Sequence, residues 1–277
     1  MIKQIVLCAD DYGLNSTVSQ CILQLIAEHR ISATSCMVNF KDWLITAKLL
    51  LAYINKVDIG LHFNLTEGEA LTGQCSLSDR NNRFYDINRL ILRCFTKNIN
   101  KQDVIKELHA QLDQFELAFN RTPDFIDGHQ HVHHLPIIRD ALLDVYQQRL
   151  QKANPYVRSV QLPWRQLISK QELKVWIIQL TGARRMAKLL HQYGIPHNQS
   201  FAGFYNLNPQ ANYRNLFKQF LMTIDQQGLV MCHPGLHNQE DVIGEARQNE
   251  FSYFSSQQFI DDCQKQQINI RRFRDLV

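Results

Sequence analysis

Short runs of apolar, often β-branched residues alternate along this chain with stretches whose apolar positions recur every three or four residues. The first run, residues 2–9, reads as a strand and stops abruptly at Asp10-Asp11-Tyr12-Gly13. Residues 16–28 then carry Val18, Ile22, Leu25 and Ile26 at helical spacing, with Ser16 or Thr17 as the cap. A strand at 33–40, a helix at 42–51 and a strand at 57–65 follow, which is the β-α-β-α-β order of a parallel sheet. The stretch 68–100, rich in Ser, Asn, Asp and Arg, lacks a clear period and predicts a long loop with a short helical piece, suited to a lid or substrate wall. Residues 101–119 place Val104, Ile105, Leu108, Leu112, Phe115 and Phe119 on one helical face, and Arg121-Thr122-Pro123 breaks that helix. Further strands are predicted at 125–127, 157–162, 229–232 and 268–273, and a helix at 136–151. Region 165–227 reads as mainly helical around a turn-like passage at 194–208.

About seven strands with mostly helical crossovers predict an α/β fold, either a (β/α) barrel or an open doubly wound sheet. Both place functional residues at the carboxyl ends of strands. A chain of 277 residues without linker, repeat or low-complexity segment fits one domain spanning 1–277. A net charge of +4, with Arg184-Arg185 and Arg271-Arg272 short and far apart, argues for solvated surfaces and against a nucleic-acid partner. Seven cysteines without a C-x-x-C pair, several in apolar runs, read as reduced and buried. No signal-peptide pattern and no run of roughly 18 apolar residues is present, so no integral membrane segment and a cytoplasmic location are expected. The glycosylation sequons at Asn15, Asn64 and Asn198 are then chance matches.

The chemistry concentrates at strand ends. Adjacent carboxylates repel and lose stability when desolvated without a counter-charge, so Asp10-Asp11 suggests a bound cation or proton transfer, although Asp-Asp before Gly also makes ordinary turns. Gly60-Leu61-His62-Phe63-Asn64, Asp127-Gly128-His129-Gln130-His131-Val132-His133-His134 and Met231-Cys232-His233-Pro234-Gly235 supply the imidazoles such a site needs. His62 or His233 alone reads as a buried structural histidine. In company with the carboxylates they complete a candidate metal-hydrolase site. If the histidine cluster is extended, alternation puts His129, His131 and His133 on one face, with one or two binding metal and the others orienting ligands or touching substrate. Asn39 is either a turn residue or a hydrogen-bond donor to the site. His29, His109, His191 and His197 read as surface or structural. No G-x-S-x-G elbow, P-loop, dinucleotide fingerprint or H-E-x-x-H helix occurs, which leaves metal-assisted chemistry as the economical reading. A set of one Asp and two His is compatible with one divalent ion, Zn, Mn, Co, Fe or, less typically, Mg.

Ala9-Asp10-Asp11-Tyr12-Gly13, Gly60-Leu61-His62-Phe63, the Asp127–His133 motif and Met231-Cys232-His233-Pro234 occur in an order that resembles the YdjC-like carbohydrate deacetylases. The resemblance spans nearly the whole chain. It implies an irregular, TIM-like (β/α) barrel that removes acetyl from an N-acetylated sugar, with Asp11, His62 and His129 as metal ligands, Asp10 as general base and His233 as general acid. It also favours Mg as the metal, with Zn, Mn or Co as alternatives. Asn39, His131 and His133 remain as substrate contacts. Gly128 and Gln130 depart from the Ser and His expected in many relatives. Residues 182–208 look more like the branch associated with hopanoid biosynthesis than the chitobiose branch, so an oligosaccharide and a glycolipid both remain as substrates, and a homodimer is left open. The rival readings are another metal-dependent amide or phosphate-ester hydrolase and a non-catalytic, metal-stabilised sugar-binding protein.

Overall fold

A parallel sheet with helices on its outer face must bury both sides of its strands, and here the central strands are buried at every position. The computed structural model describes residues 2–162, 179–238 and 241–276. Its strands are β1 (Lys3–Tyr12), β2 (Ala33–Cys36), β3 (Asp58–Phe63), β4 (Phe125–Gly128), β5 (Tyr156–Val157), β6 (Phe201–Ala202), β7 (Gly228–Cys232) and β8 (Ile268–Ile270). All their pairings are parallel, in the order β5-β4-β3-β2-β1-β7-β6, with β8 against the start of β1. The sheet curls into an irregular (β/α) barrel. Between β5 and β6 no strand pairing closes the wall among the described residues; there Val157 N–H donates to Pro196 O at 2.8 Å, and Asn198 exchanges two 2.8 Å bonds with the Ser159 backbone.

Side-chain alternation divides each strand between two cores. Ile5, Leu7, Ala9, Ile59, Leu61, Ile126, Val230 and Cys232 join the large cluster shared with the helices. Val6, Cys8, Ala33, Phe125, Tyr156, Leu229 and Met231 form a smaller cluster lining the barrel interior. Further along the interior-facing positions come Asp10, Ser35, His62, Asp127, Arg158 and His233, so the lining turns from apolar to polar at the carboxyl end. Gly60 belongs to the same inner set. A Cβ there would lie 2.5 Å from the Phe125 ring, which is itself stacked on Tyr156 at 4.7 Å.

The helices are α1 (Ser16–Ala27), α2 (Trp43–Leu50), α3 (Ile87–Phe95), α4 (Lys101–Phe119), α5 (Ile138–Val145), α6 (Arg184–Gln192), α7 (Tyr213–Thr223), α8 (Gly244–Phe254) and α9 (Gln257–Lys265). α4 has the bounds its periodicity predicts, because Asn100 caps its start and Asn120 ends it in a left-handed turn (φ 51°). α1 is capped by Asn15, and not by Ser16 or Thr17. Asn15 is extended (φ −156°) and its side chain accepts from Val18 N–H, whereas Ser16 is already helical. The strand expected at 33–40 ends at Cys36, and the one expected at 157–162 is only β5. The short strand β6 and helices α8 and α9 have no counterpart among the elements predicted from periodicity. Of the helical region expected at 165–227, residues 165–178 lie outside the described residues. The loop after β3 is anchored by buried polar groups of α4: Glu107 accepts from Leu71 N–H and from the Thr72 amide and hydroxyl, and Gln111 pairs with the Asn64 backbone. No helix among the described residues is long and apolar enough to cross a membrane.

Gly60→Ala should lower stability by about 1–3 kcal/mol, since the Phe125 ring has no space to retreat into. A urea midpoint equal to the parent's at unchanged m would show that the ring yields freely.

Candidate active site

Five of the residues singled out in the sequence converge at one end of the barrel. β1 brings Asp10 and Asp11 through an irregularity in its pairing with β2: Ala9 is opposite Thr34 but Tyr12 is opposite Cys36, which leaves one extra residue on β1. Asp11 accordingly adopts a left-handed backbone, φ 71°. That extra residue sends two consecutive carboxylates into one site, where an unbroken strand would point them to opposite faces.

The two carboxylates have different partners. Asp11 Oδ1 lies 3.1 Å from His129 Nδ1 and 3.3 Å from His62 Nε2, while its Oδ2 accepts from Arg247 Nη2 at 2.7 Å. Burial would raise its pKa, but Arg247 and the two imidazoles hold it well below the ordinary carboxylate range. Asp10 is gripped by both terminal nitrogens of Arg158 at 2.6 Å and accepts from Ser35 Oγ at 3.2 Å. Against the effect of burial, Arg158 brings the Asp10 carboxyl down to about 2. His233 Nε2 stands 4.0 Å from Asp10 Oδ2. Burial lowers the His233 pKa below its usual value, so the ring is neutral at rest near pH 7.

Asp127, adjacent to His62 in the β3–β4 register, links these halves. Its Oδ1 receives His62 Nδ1–H at 2.6 Å, and its Oδ2 lies 2.6 Å from Arg158 Nη2. With Nδ1 carrying the proton, His62 turns a lone pair on Nε2 toward the Asp11 carboxylate. Two acceptors then face each other unless a proton or cation lies between them. Burial would lower the His62 pKa, but Asp127 and Asp11 raise it to about 10. Asp10, Asp11 and Asp127 are each at most 1 % exposed, and they outnumber Arg158 and Arg247 once His62 gives up its extra proton. The donor atoms of Asp11, His62 and His129 all lie within 4.8 Å of one another. A divalent ion taking the place of that proton would meet an excess of buried negative charge and two imidazoles, one of them oriented by Asp127, a donor set that fits it. A second group of donors, Cys8, Asp10 and Asp127, already surrounds the Arg158 guanidinium, which takes the place a cation would occupy.

The histidine cluster is not extended. His129–His134 forms a tight helical turn in which Gln130 (φ 50°) and His131 (φ 61°) are left-handed, so its imidazoles diverge instead of sharing one face. His133 is fully buried and its Nε2–H donates to Arg158 O at 2.9 Å, which makes it a brace behind the arginine and removes it from the substrate-facing surface. His131 packs edge-on against Phe204 at 4.9 Å and Phe201 at 5.8 Å and is 7 % exposed. Asn39 donates to Glu67 O and Glu69 O and accepts from Asn64 Nδ2, pinning the loop after β3.

Four partners went unassigned in the sequence reading. Asp127 and Arg158 have a legible signal, since each stands two residues beyond an aromatic interior residue, Phe125 or Tyr156, on the same side of its strand. Arg247 and Glu250 lie on α8, which periodicity did not reveal, and carry no such signal. Glu250 is fully buried; its Oε1 accepts from Tyr205 Oη at 2.5 Å and its Oε2 accepts the His233 amide.

The chain also has known relatives. A family model described as YdjC-like protein matches residues 4–265. Chitooligosaccharide deacetylases of Yersinia pestis (strain Pestoides F) and Yersinia pseudotuberculosis serotype O:1b (strain IP 31758) are each 30 % identical over 246 residues, 86 % of this chain and 84 % of theirs. A crystal structure from Enterococcus faecalis V583, of a protein for which cellobiose-phosphate cleavage has been suggested, superposes with a TM-score of 0.75 over the whole of both chains at 17 % identity. At that identity it is the fold that is shared.

Burial raises the Glu250 carboxyl to about 7, against the opposing bonds from Tyr205 and the His233 amide. Because its folded value lies above the unfolded one, the folded state takes up a proton between pH 7 and about 4.5, and stability contributed by this group increases as pH falls through that window. Glu250→Gln, whose oxygen can still accept the His233 amide while its NH2 donates to Tyr205 Oη, should flatten the dependence of the urea midpoint on pH there. An unchanged slope would mean that Glu250 does not titrate in that range.

Proposed function

This chain belongs to the YdjC-like family, and on that premise we propose that it is a carbohydrate deacetylase that hydrolyses the N-acetyl group of an amino sugar in an oligosaccharide or glycolipid. The observation that carries the reading is the division of labour between adjacent carboxylates: Asp11 faces two imidazoles, while Asp10 is locked to Arg158 and stands 4.0 Å from His233. Such a division suits amide hydrolysis, which needs an activated water, a place for the developing oxyanion and a proton for a poor leaving group.

Asp11, His62 and His129 would hold one divalent ion, which when bound makes a water more acidic and polarises the acetamide carbonyl. Mg is favoured by the family resemblance, and Zn, Mn or Co suit the same donors. Asp10, ionised at any physiological pH because of Arg158, accepts a proton from the attacking water as the new C–O bond forms. A carboxyl held at so low a pKa releases that proton readily, and His233 Nε2 is the neighbouring acceptor. The imidazolium then protonates the sugar nitrogen as the C–N bond breaks, leaving acetate and a free amine. Neutral at rest, His233 is suited to this relay: it takes up one proton and gives it away in each cycle. Ser35 and Asp127 keep Asp10, Arg158 and His62 aligned throughout.

Incubation with N-acetylated chitooligosaccharides and N-acetylated glycolipids should release acetate, and chelator should abolish the release until a divalent metal is restored. Chelator-resistant release would remove the metal from the reading, and no release from any member of the panel would remove the activity. Asp10→Asn should retain bound metal but lose at least ~10²-fold in kcat. Full turnover in that variant would exclude Asp10 as the base.

A further inference from the structure

Arg158 reaches the site from the residue directly after β5, whereas Arg247 reaches it from a helix. It lies on α8, is 3 % exposed, and its flat guanidinium spans two carboxylates: Nη2 donates to Asp11 Oδ2 and Nε donates to Asp241 Oδ2, each at 2.7 Å. The same helix face reaches the loop after β7 at two more points. Arg247 O accepts Gly235 N–H at 3.2 Å, and three residues on, Glu250 accepts the His233 amide. α8 therefore fixes Asp11 and the His233 backbone relative to one another.

This bears on how Asp11 can bind a cation. A free carboxylate can offer one oxygen or both, and the choice alters coordination number and affinity. Here Oδ2 is already committed to a charge-assisted bond, and only Oδ1 faces His62 and His129. Resting on the metal-site reading above, we propose that Arg247 is a positioning residue that confines Asp11 to a single donor oxygen and, through its second bond to Asp241, ties that geometry to the loop carrying His233. The fork is essential to this role. A lysine ammonium keeps the charge but, as a single point on a flexible stem, cannot hold two carboxylates in one plane.

The test uses the full chain, stripped of metal and titrated with Co²⁺, whose visible absorption reports coordination number. Arg247→Lys should bind Co²⁺ roughly 10- to 100-fold more weakly, the usual scale for removing a partner that orients a ligand. Its visible band should also change as Oδ2 becomes free to coordinate. A purely structural arginine would lower the melting temperature of the metal-free protein and leave the band unchanged. Wild-type affinity and an unchanged band in Arg247→Lys overturn the inference. Should that variant be too unstable to titrate, Asp241→Ala, which removes the outer anchor at a site 15 % exposed, decides in its place: weaker binding with an altered band supports the inference, and parental values overturn it. A parent protein that binds no Co²⁺ overturns the metal-site reading and this inference with it, an outcome distinct from a parent that binds and a variant that binds equally well.

Discussion

The contact of Arg158 with Asp10 and Asp127 is the constraint around which the upper half of the barrel is arranged. All three side chains are at most 1 % exposed, and none could be left there alone. A buried carboxylate without a partner is destabilising by several kcal/mol, and removing one member of such a group commonly costs about 3–5 kcal/mol. Arg158 can satisfy both carboxylates because its donors are fixed in a plane. Its own position is braced by His133 on its carbonyl and by the Phe201 ring 5.9 Å from its guanidinium. From this contact the chain of charges continues through Asp127 to His62, from His62 to Asp11, and from Asp11 to Arg247 and Asp241.

That chain explains why adjacent aspartates do not behave alike. Each feels the same burial, yet Asp10 is ion-paired on both oxygens and Asp11 on one. The remaining oxygen of Asp11 faces two imidazoles, one of which Asp127 orients. The difference arises from the extra residue in β1, which turns what would be an inward and an outward side chain into two inward ones. Electrostatics then sets the two carboxylates apart.

Much of this was legible in the sequence. Short apolar runs alternating with helical spacing gave the parallel α/β order, and α4 appeared with its observed bounds because capping and amphipathicity agree there. The convergence of Asp10, Asp11, His62, His129 and His233 followed from their common place at strand ends. The extended reading of the histidine cluster failed because two left-handed residues fold it into a turn, and backbone handedness at Gln130 and His131 has no marker in residue type. α8 was missed because its inward face is partly ionic: Arg247 and Glu250 occupy positions where periodicity looks for apolar residues.

The sequence by itself determined that Asp10, Asp11, His62, His129 and His233 reach one rim of the sheet, since all five stand at the carboxyl ends of parallel strands. It did not determine which groups touch. Asp10 and Arg158 are 148 positions apart and Asp11 and Arg247 are 236 apart, and no local rule connects such pairs. Only the curl of the sheet, which brings β1 between β2 and β7 and lays α8 across its end, decided that one aspartate is neutralised by two guanidinium bonds and its neighbour turns one oxygen to two imidazoles. The physical reason is that burial energies are set by the partners present in three dimensions, while propensity and pattern report only on neighbours along the chain.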